Sequence, residues 1–152
     1  MNIVVAAVGR AKPGPERDLF AAYIARLPWR VDLKEIEIKK KTTVDARRRL
    51  EAEALLAAVP EGATIVALDE RGKSETSEAF AKRLGRWRDD GVRGLAFLIG
   101  GADGLDESLR KRADATLSFG ALTWPHMLVR ALLAEQLYRA HTILTGHPYH
   151  RA

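Results

Sequence analysis

The fold is decided by the stretch LAFLIGGADG at residues 95–104, where five apolar residues run directly into a glycine-rich loop. A short apolar run bounded by turn residues is typical of a buried strand. Three of the five loop residues are glycines, which let a backbone turn sharply and approach a ligand closely. Because ligands of open α/β sheets bind beyond the carboxyl ends of strands, this loop is a candidate binding site. The alternative is a tight turn from strand to helix that binds nothing.

Strand and helix patterns alternate on both sides of this stretch. Further strands are predicted at residues 3–8, 31–38, 64–68 and 115–118. Helices are predicted after Pro13, after a cap at Thr42 or Thr43, after a cap within residues 74–77, and over 106–112 and 125–144. Strands separated by helices predict a mostly parallel sheet flanked by helices, in one α/β domain over residues 1–152.

The amino-acid composition argues against several classes of protein, namely disulfide-bonded, secreted and membrane-spanning proteins. Cysteine is absent from the sequence, which excludes disulfides and suits a reducing cytoplasm. No segment approaches the ~20 apolar residues that span a bilayer, and the apolar run at residues 3–8 is too short for a secretion signal. We therefore expect a cytoplasmic protein without a membrane partner. The formal net charge of +5 favours a nucleic-acid partner, although a basic solvated surface would have the same composition.

Common site motifs are absent from the sequence. The glycine loop does not have the spacing G-x-G-x-x-G of dinucleotide-binding proteins. Neither the phosphate-binding G-x-x-x-x-G-K-[ST] nor the nucleophile elbow G-x-S-x-G occurs. These absences argue against a dinucleotide-dependent oxidoreductase, a P-loop enzyme and an α/β-hydrolase.

Two further stretches are candidate sites. Residues 117–126 are mostly apolar and contain Gly120, so backbone amides there could hold an adenine, unless the stretch is only a buried connection. Residues 147–151 bring His, Tyr and Arg side chains together at the chain end, where a mobile polar tail is the alternative. His147 and His150 have no carboxylate or thiolate nearby in the sequence, so no metal site is predicted.

The last predicted helix is apolar on more than one face, and a helix apolar nearly all round must be buried. One face can cover the sheet, and the other either lies in a deep core or contacts a partner in a homodimer. Basic residues form four clusters, each of which is a solvated face on its own but which together could follow an RNA backbone. The clusters are 39–41, 47–49, 83–88 and 110–112.

Four motifs stand in order along the chain: LIGGADG at 98–104, LTWPHMLVR at 122–130, EQLYRA at 135–140 and HPYHR at 147–151. Together with Leu68-Asp69, Gly72-Lys73 and residues 77–81, they resemble the RlmH family. Its members are SPOUT-class methyltransferases that modify N3 of a pseudouridine in 23S ribosomal RNA. The resemblance covers the whole chain, and four motifs in register are far more specific than any one of them.

The resemblance implies a trefoil-knotted α/β fold, a homodimer, and S-adenosylmethionine as cofactor without a metal. It implies 23S rRNA in the ribosome or large subunit as the substrate. It also implies that Tyr149, His150 and Arg151 are the catalytic, substrate-side residues, and that Gly100→Val would put a side chain where the cofactor lies. The implied cofactor contacts are Leu68, Gly100, Phe119, Gly120, Ala121, Leu122, Thr123 and Trp124.

This chain departs from the family pattern at a few positions. Ala102 and Asp103 stand where Pro and Glu are commoner, Trp124 where a smaller apolar residue is usual, and Gly146 where Asn is found. These changes concern the stiffness of a loop and the shape of a pocket, so they affect the expected affinity rather than the expected chemistry.

The implied reaction needs help at N3 of the pseudouridine, because this imide nitrogen is protonated at neutral pH. A base, or a group that stabilises the anion, is required. His150 has a suitable reference pKa of ~6.5, Arg151 could stabilise negative charge, and Tyr149 could stack on the base. The identity of the base stays open. The tail is expected to contribute little to stability.

Two other functions remain open from sequence. The first is a SPOUT methyltransferase for another RNA position. The second is a non-catalytic RNA- or ribosome-binding protein that has retained the fold; the intact glycine loop and tail argue against it, and cofactor binding would decide.

Overall fold

The computed structural model describes residues 1–151; Ala152, the last residue of the predicted domain, lies outside the described residues. Five strands alternate with five helices in this part of the chain. The strands are β1 (Asn2–Val8), β2 (Arg30–Ile36), β3 (Thr64–Leu68), β4 (Leu95–Ile99) and β5 (Ala115–Leu117). The helices are α1 (Pro15–Ala25), α2 (Val44–Ala57), α3 (Ser77–Asp89), α4 (Glu107–Arg112) and α5 (His126–Thr145).

The strands form one sheet in the order β2-β1-β4-β3-β5, and every paired neighbour is parallel. The predicted α/β class with a mostly parallel sheet is therefore confirmed. Because all strands run the same way, the loops after β3, β4 and β5 emerge at one edge of the sheet. This arrangement brings the glycine loop at 100–104 next to residues 69–70 and 118–125.

Helices cover both faces of the sheet and divide the core into two halves. On one face α2 and α4 pack through Ala52, Leu55 and Leu109. On the other face α3 and α5 pack through buried side chains that include Phe80 and Leu133. β4 lies between β1 and β3 and is buried along its whole length, so its continuous apolar sequence is the pattern expected of a central parallel strand.

The predicted helix caps are confirmed in detail. Thr43 caps α2 by accepting a hydrogen bond from the Ala46 N–H, and Thr76 caps α3 in the same way from Ala79. Asp106 caps α4 rather than beginning it, and β2 ends two residues before the predicted strand end at residue 38. These differences lie at element ends.

Helix α5 lies on the sheet and packs against both α1 and α3. Much of its apolar excess is therefore covered within the chain, and the large exposed apolar side chains of the described residues lie elsewhere. They are Leu19, Val44, Leu122 and Trp124. Among the described helices, none is both long enough and apolar enough to cross a membrane.

Candidate active site

A pocket of about 730 Å³ opens at the carboxyl edge of the sheet. Its size lies within the range of small-molecule sites. The loops after β3, β4 and β5 and the first turn of α5 form its walls. All predicted cofactor contacts line it except Ala121, which lies in the same loop; the lining contacts are Leu68, Gly100, Phe119, Gly120, Leu122, Thr123 and Trp124.

Hydrogen bonds join the loop after β3 to the loop after β5. The Oγ of buried Ser118 lies 3.1 Å from the Glu70 carbonyl oxygen and accepts a hydrogen bond from the Gly120 N–H. The Thr123 hydroxyl donates to the Glu70 carboxylate at 3.1 Å, and the Asp69 N–H donates to the Leu117 carbonyl. The pocket wall is thus held in shape by contacts that the sequence spacing did not reveal.

The wall at residues 119–125 is irregular, and several of its backbone groups have no partner among the described residues. Among the described residues, the N–H groups of 121–124 donate to no protein acceptor. Gly120 has a φ of 110°, a conformation that side chains disfavour, and a Cβ there would have no protein atom within 4 Å. Free amides between the apolar side chains of Leu68 and Phe119 suit a ligand with an aromatic ring and polar edges.

The charged groups of the pocket are of both signs. Asp69, Glu70 and Asp103 supply carboxylates, and Arg48 and Arg71 supply guanidinium groups. S-adenosylmethionine carries a sulfonium, an ammonium and a carboxylate beside its adenosine, so this mixed lining fits it. The residues present therefore fit the cofactor that the resemblance implies.

Gly100 has a different role from the one expected. A Cβ at this position would lie 2.8 Å from the Gly104 carbonyl carbon and 3.1 Å from the Leu105 side chain. A side chain at residue 100 would therefore collide with its own loop rather than occupy the ligand's space. The expectation that Gly100→Val directly blocks the cofactor is wrong, because the variant would first deform the loop.

Arg130 and His126 form a polar cluster beside the pocket. The Arg130 guanidinium is buried and donates to the Gly9 carbonyl at 2.7 Å and to Glu35 at 2.7 Å. It thereby anchors α5 to the ends of β1 and β2. His126 lines the pocket, and burial together with the Arg130 charge lowers its pKa, so its imidazole is neutral at neutral pH.

The tail at residues 147–151 folds back onto α5, contrary to the mobile alternative. The Tyr149 hydroxyl donates to Glu135 at 3.0 Å, and its ring meets the Tyr138 ring edge-on at 4.8 Å. The Arg139 guanidinium lies over the Tyr149 ring, with its Cζ 4.8 Å from the ring centroid. Burial, followed by the neighbouring Tyr23 and Glu135, raises the pKa of Tyr149 well above its ordinary value, so this side chain remains a phenol.

His150 is held through both ring nitrogens. Its Nδ1 lies 3.0 Å from the Arg139 guanidinium, and its Nε2 lies 3.1 Å from a Glu78 carboxylate oxygen. Because a guanidinium can only donate, Nδ1 must accept, and Nε2 then carries the proton that is donated to Glu78. The contacts thus select one tautomer. Arg151, by contrast, is exposed.

The structure does not bring the tail to the pocket of the same chain. A helix rises about 1.5 Å per residue, so Arg139 lies roughly 20 Å beyond His126 along α5. None of Tyr149, His150 and Arg151 lines the pocket. The described residues also contain no group of three or more His, Asp or Glu side chains arranged to hold a metal ion. The predicted site residues therefore form two separate groups.

The sequence assigned no role to Glu78 or Arg130, and it included Ser118 and His126 only as members of the candidate stretch 117–126. The motif LTWPHMLVR contains His126 and Arg130, but nothing in its spacing shows that Arg130 reaches β1. That contact follows from the parallel sheet, because the sheet places the ends of β1 and β2 beside the start of α5.

The comparisons with known proteins agree with this geometry. A family model described as "Predicted SPOUT methyltransferase" matches residues 1–150. Ribosomal RNA large subunit methyltransferase H of Rhodospirillum centenum is 62% identical over 152 residues, covering 100% of both chains.

Solved structures share the fold at low sequence identity. A "probable methylase family protein" from Haemophilus influenzae Rd KW20 has a TM-score of 0.59 and 10% identity, with 99% of this chain and 70% of that chain covered. A Legionella pneumophila protein solved "in complex with the bound cofactor SAM" has a TM-score of 0.51 and 12% identity, with 93% and 66% covered.

Proposed function

Because the chain belongs to the SPOUT methyltransferase family, and within it to the ribosomal RNA large subunit methyltransferases H, we propose that it transfers the methyl group of S-adenosylmethionine to N3 of a pseudouridine in 23S rRNA. The observation that carries the proposal is the pocket at the carboxyl edge of the sheet. Its glycine loop and its open backbone amides come from the motifs that the resemblance rests on.

The cofactor is held by the pocket walls. Leu68 and Phe119 supply apolar surface, the amides of 121–124 supply donors, and the loop at 100–104 lets the backbone approach closely. When bound, S-adenosylmethionine supplies an electrophilic methyl group on its sulfonium centre. The knotted path of the chain through this region is part of the same proposal and is inferred from the family.

The tail supplies the groups that act on the pseudouridine. Tyr149 stays protonated, so it donates a hydrogen bond or stacks on the base rather than removing a proton. The imidazole of His150 has one nitrogen lone pair, on Nδ1, and Arg139 donates a hydrogen bond to it. This lone pair can accept the N3 proton once Arg139 no longer donates to it. Arg139 and Arg151 carry the positive charge that stabilises the resulting anion.

A complete site requires a homodimer. In one chain the tail lies roughly 20 Å from the pocket along α5, so the tail of a second copy must reach it. Leu122 is 76% exposed and Trp124 is 40% exposed at the pocket rim, where a second subunit would cover them.

The substrate is 23S rRNA in the assembled ribosome or the large subunit, in the cytoplasm. A domain of 152 residues offers few contacts to a free RNA hairpin, whereas an assembled particle presents its nucleotides in a fixed shape. We therefore expect transfer to large subunits to be much faster than transfer to naked 23S rRNA.

The experiment measures labelled methyl transfer from S-adenosylmethionine to assembled ribosomes and large subunits and, separately, to naked 23S rRNA. Equal rates on both would refute the assembled substrate. Absent transfer to either RNA, with cofactor binding intact by calorimetry and the fold intact, would favour an RNA-binding protein that has retained the fold.

A further inference from the structure

The excess positive charge of the chain lies in one short segment, residues 39–49, which we call the basic segment. It contains Lys39, Lys40 and Lys41 and the arginines at 47–49, against a single acidic residue, Asp45. Six positive charges less one negative charge give +5, which equals the formal net charge of the whole chain. The remaining residues therefore balance to neutral.

Folding stability does not account for these cations. The lysines of the segment directly precede α2, which begins at Val44, whereas its arginines lie beyond the first turn of that helix. The amino end of a helix carries a partial positive charge, so cations there are unfavourable and acids are preferred. Among the described residues, the segment makes one salt bridge, between Arg48 and Asp45.

The basic segment follows β2, so it begins at the carboxyl edge of the sheet, where the candidate active site also lies. Arg48 lines the pocket, while the three lysines and Arg49 are exposed. The segment also faces the start of α4: the pKa of Asp106 is lowered chiefly by hydrogen bonding to Ser108, with smaller effects from Arg49 and Arg48.

The other basic clusters differ from this segment. On the opposite face of the sheet, Arg83 is paired with Glu75 and Arg88 with Asp89. Arg110 is paired with Asp69 and Glu107. Each of these clusters thus has arginines paired with acids within the chain, although Arg86, Lys111 and Arg112 make no salt bridge among the described residues.

We propose that the basic segment grips the phosphates of ribosomal RNA next to the target nucleotide. This inference rests on the proposed function. A nucleotide whose base enters the pocket must carry its backbone across the rim, where the lysine ammonium groups and the fork of Arg49 meet phosphate oxygens. An anionic membrane or an acidic protein could also attract the segment, but neither would deliver a base to the pocket beside Arg48.

The test compares two variants with the same loss of charge. Lys39→Gln/Lys40→Gln/Lys41→Gln neutralises the basic segment, and Lys82→Gln/Arg86→Gln/Arg88→Gln neutralises three cations on α3. Binding to purified large ribosomal subunits is measured by sedimentation at several salt concentrations. Each phosphate contact contributes roughly 0.7–0.9 to the slope of log affinity against log salt. The first variant should lower that slope by about 2–3, and the α3 control should leave it near the wild-type value.

The outcomes separate this inference from the proposed function. An unchanged slope in the first variant, or an equal fall in both variants, overturns the role of the basic segment even if the enzyme methylates normally. A wild-type chain that binds subunits but transfers no methyl group contradicts the proposed function, and the slopes still decide the inference. A wild-type chain that does not bind subunits contradicts both. Calorimetry with S-adenosylmethionine verifies that the pocket is intact in each variant.

Discussion

At the scale of single residues, the contacts of His150 give Glu78 a task that its sequence motif did not suggest. Glu78 lies in the first turn of α3, far from the tail in sequence, yet its carboxylate lies 3.1 Å from Nε2 of His150. Arg139 on the other side fixes Nδ1 as an acceptor. Glu78 therefore acts through His150, as a residue that positions the imidazole and selects its tautomer.

We predict that Glu78→Gln lowers kcat for methyl transfer about fivefold, since replacing a charged acceptor by a neutral one costs about 1 kcal/mol. KM for large subunits and the affinity for S-adenosylmethionine should stay near their wild-type values. Nitrogen chemical shifts of His150 should show a mixture of tautomers where the wild type shows one.

Glu53→Gln removes an exposed carboxylate from α2 and is the matched control. A Glu78→Gln enzyme with a wild-type kcat and a single His150 tautomer would remove the positioning role.

At the scale of elements, the tail is part of the packed structure. The sequence predicts that a chain end after Gly146 and Pro148 buries little; in the structure His147, Pro148 and Arg151 are exposed, but Tyr149 and His150 are half-buried. Gly146 adopts a φ of 74° and ends α5, which turns the chain back so that Tyr149 reaches Tyr138 and Glu135. The left-handed turn makes this return possible, and glycine adopts it without strain.

Deleting residues 149–152 is predicted to lower the free energy of unfolding by about 2 kcal/mol, through loss of the Tyr149–Tyr138 aromatic pair and of the hydrogen bonds that Tyr149 and His150 donate to carboxylates. For a domain of this size the melting temperature should fall by roughly 4–8 °C. Methyl transfer should be abolished while cofactor binding persists, because the tail does not line the pocket of its own chain.

Arg151→Ala is the comparison variant for stability. Its side chain is exposed, so the melting temperature should not change, while turnover or substrate binding should weaken. A truncated chain that melts at the wild-type temperature would contradict the docked tail, and one that methylates at the wild-type rate would contradict its catalytic role.

Across the whole molecule, the sequence predicted the features that depend on a local pattern of residues, such as the bounds of strands. β3 and β4 begin and end at the predicted residues because each is a continuous apolar run between turns. The pocket loops were predictable for a related reason, since parallel strands deliver their following loops to one edge. The specific residues of the site, however, came from the resemblance.

The contacts between residues far apart in the chain could not be predicted from the sequence. Arg130 and Glu35 are 95 residues apart in the chain and join only because α5 crosses the ends of β1 and β2. A Cβ at Gly100 would collide with Gly104 and Leu105 because the loop closes on itself. The pattern of glycines in the sequence does not show that closure. The covering of α5 by α1 likewise emerges only from the packed structure, because an apolar helix face looks the same whichever partner buries it.

Identifying the modified nucleoside tests whether this chain methylates N3 of a pseudouridine in 23S rRNA. Ribosomes and isolated large subunits from a strain that lacks the modification are each incubated with the purified chain and S-adenosylmethionine, and the digested 23S rRNA is examined by mass spectrometry. We predict one new nucleoside, a pseudouridine carrying a methyl group at N3 of its base. A methyl group on a ribose or on another base, or no new nucleoside with active cofactor binding, would contradict the account.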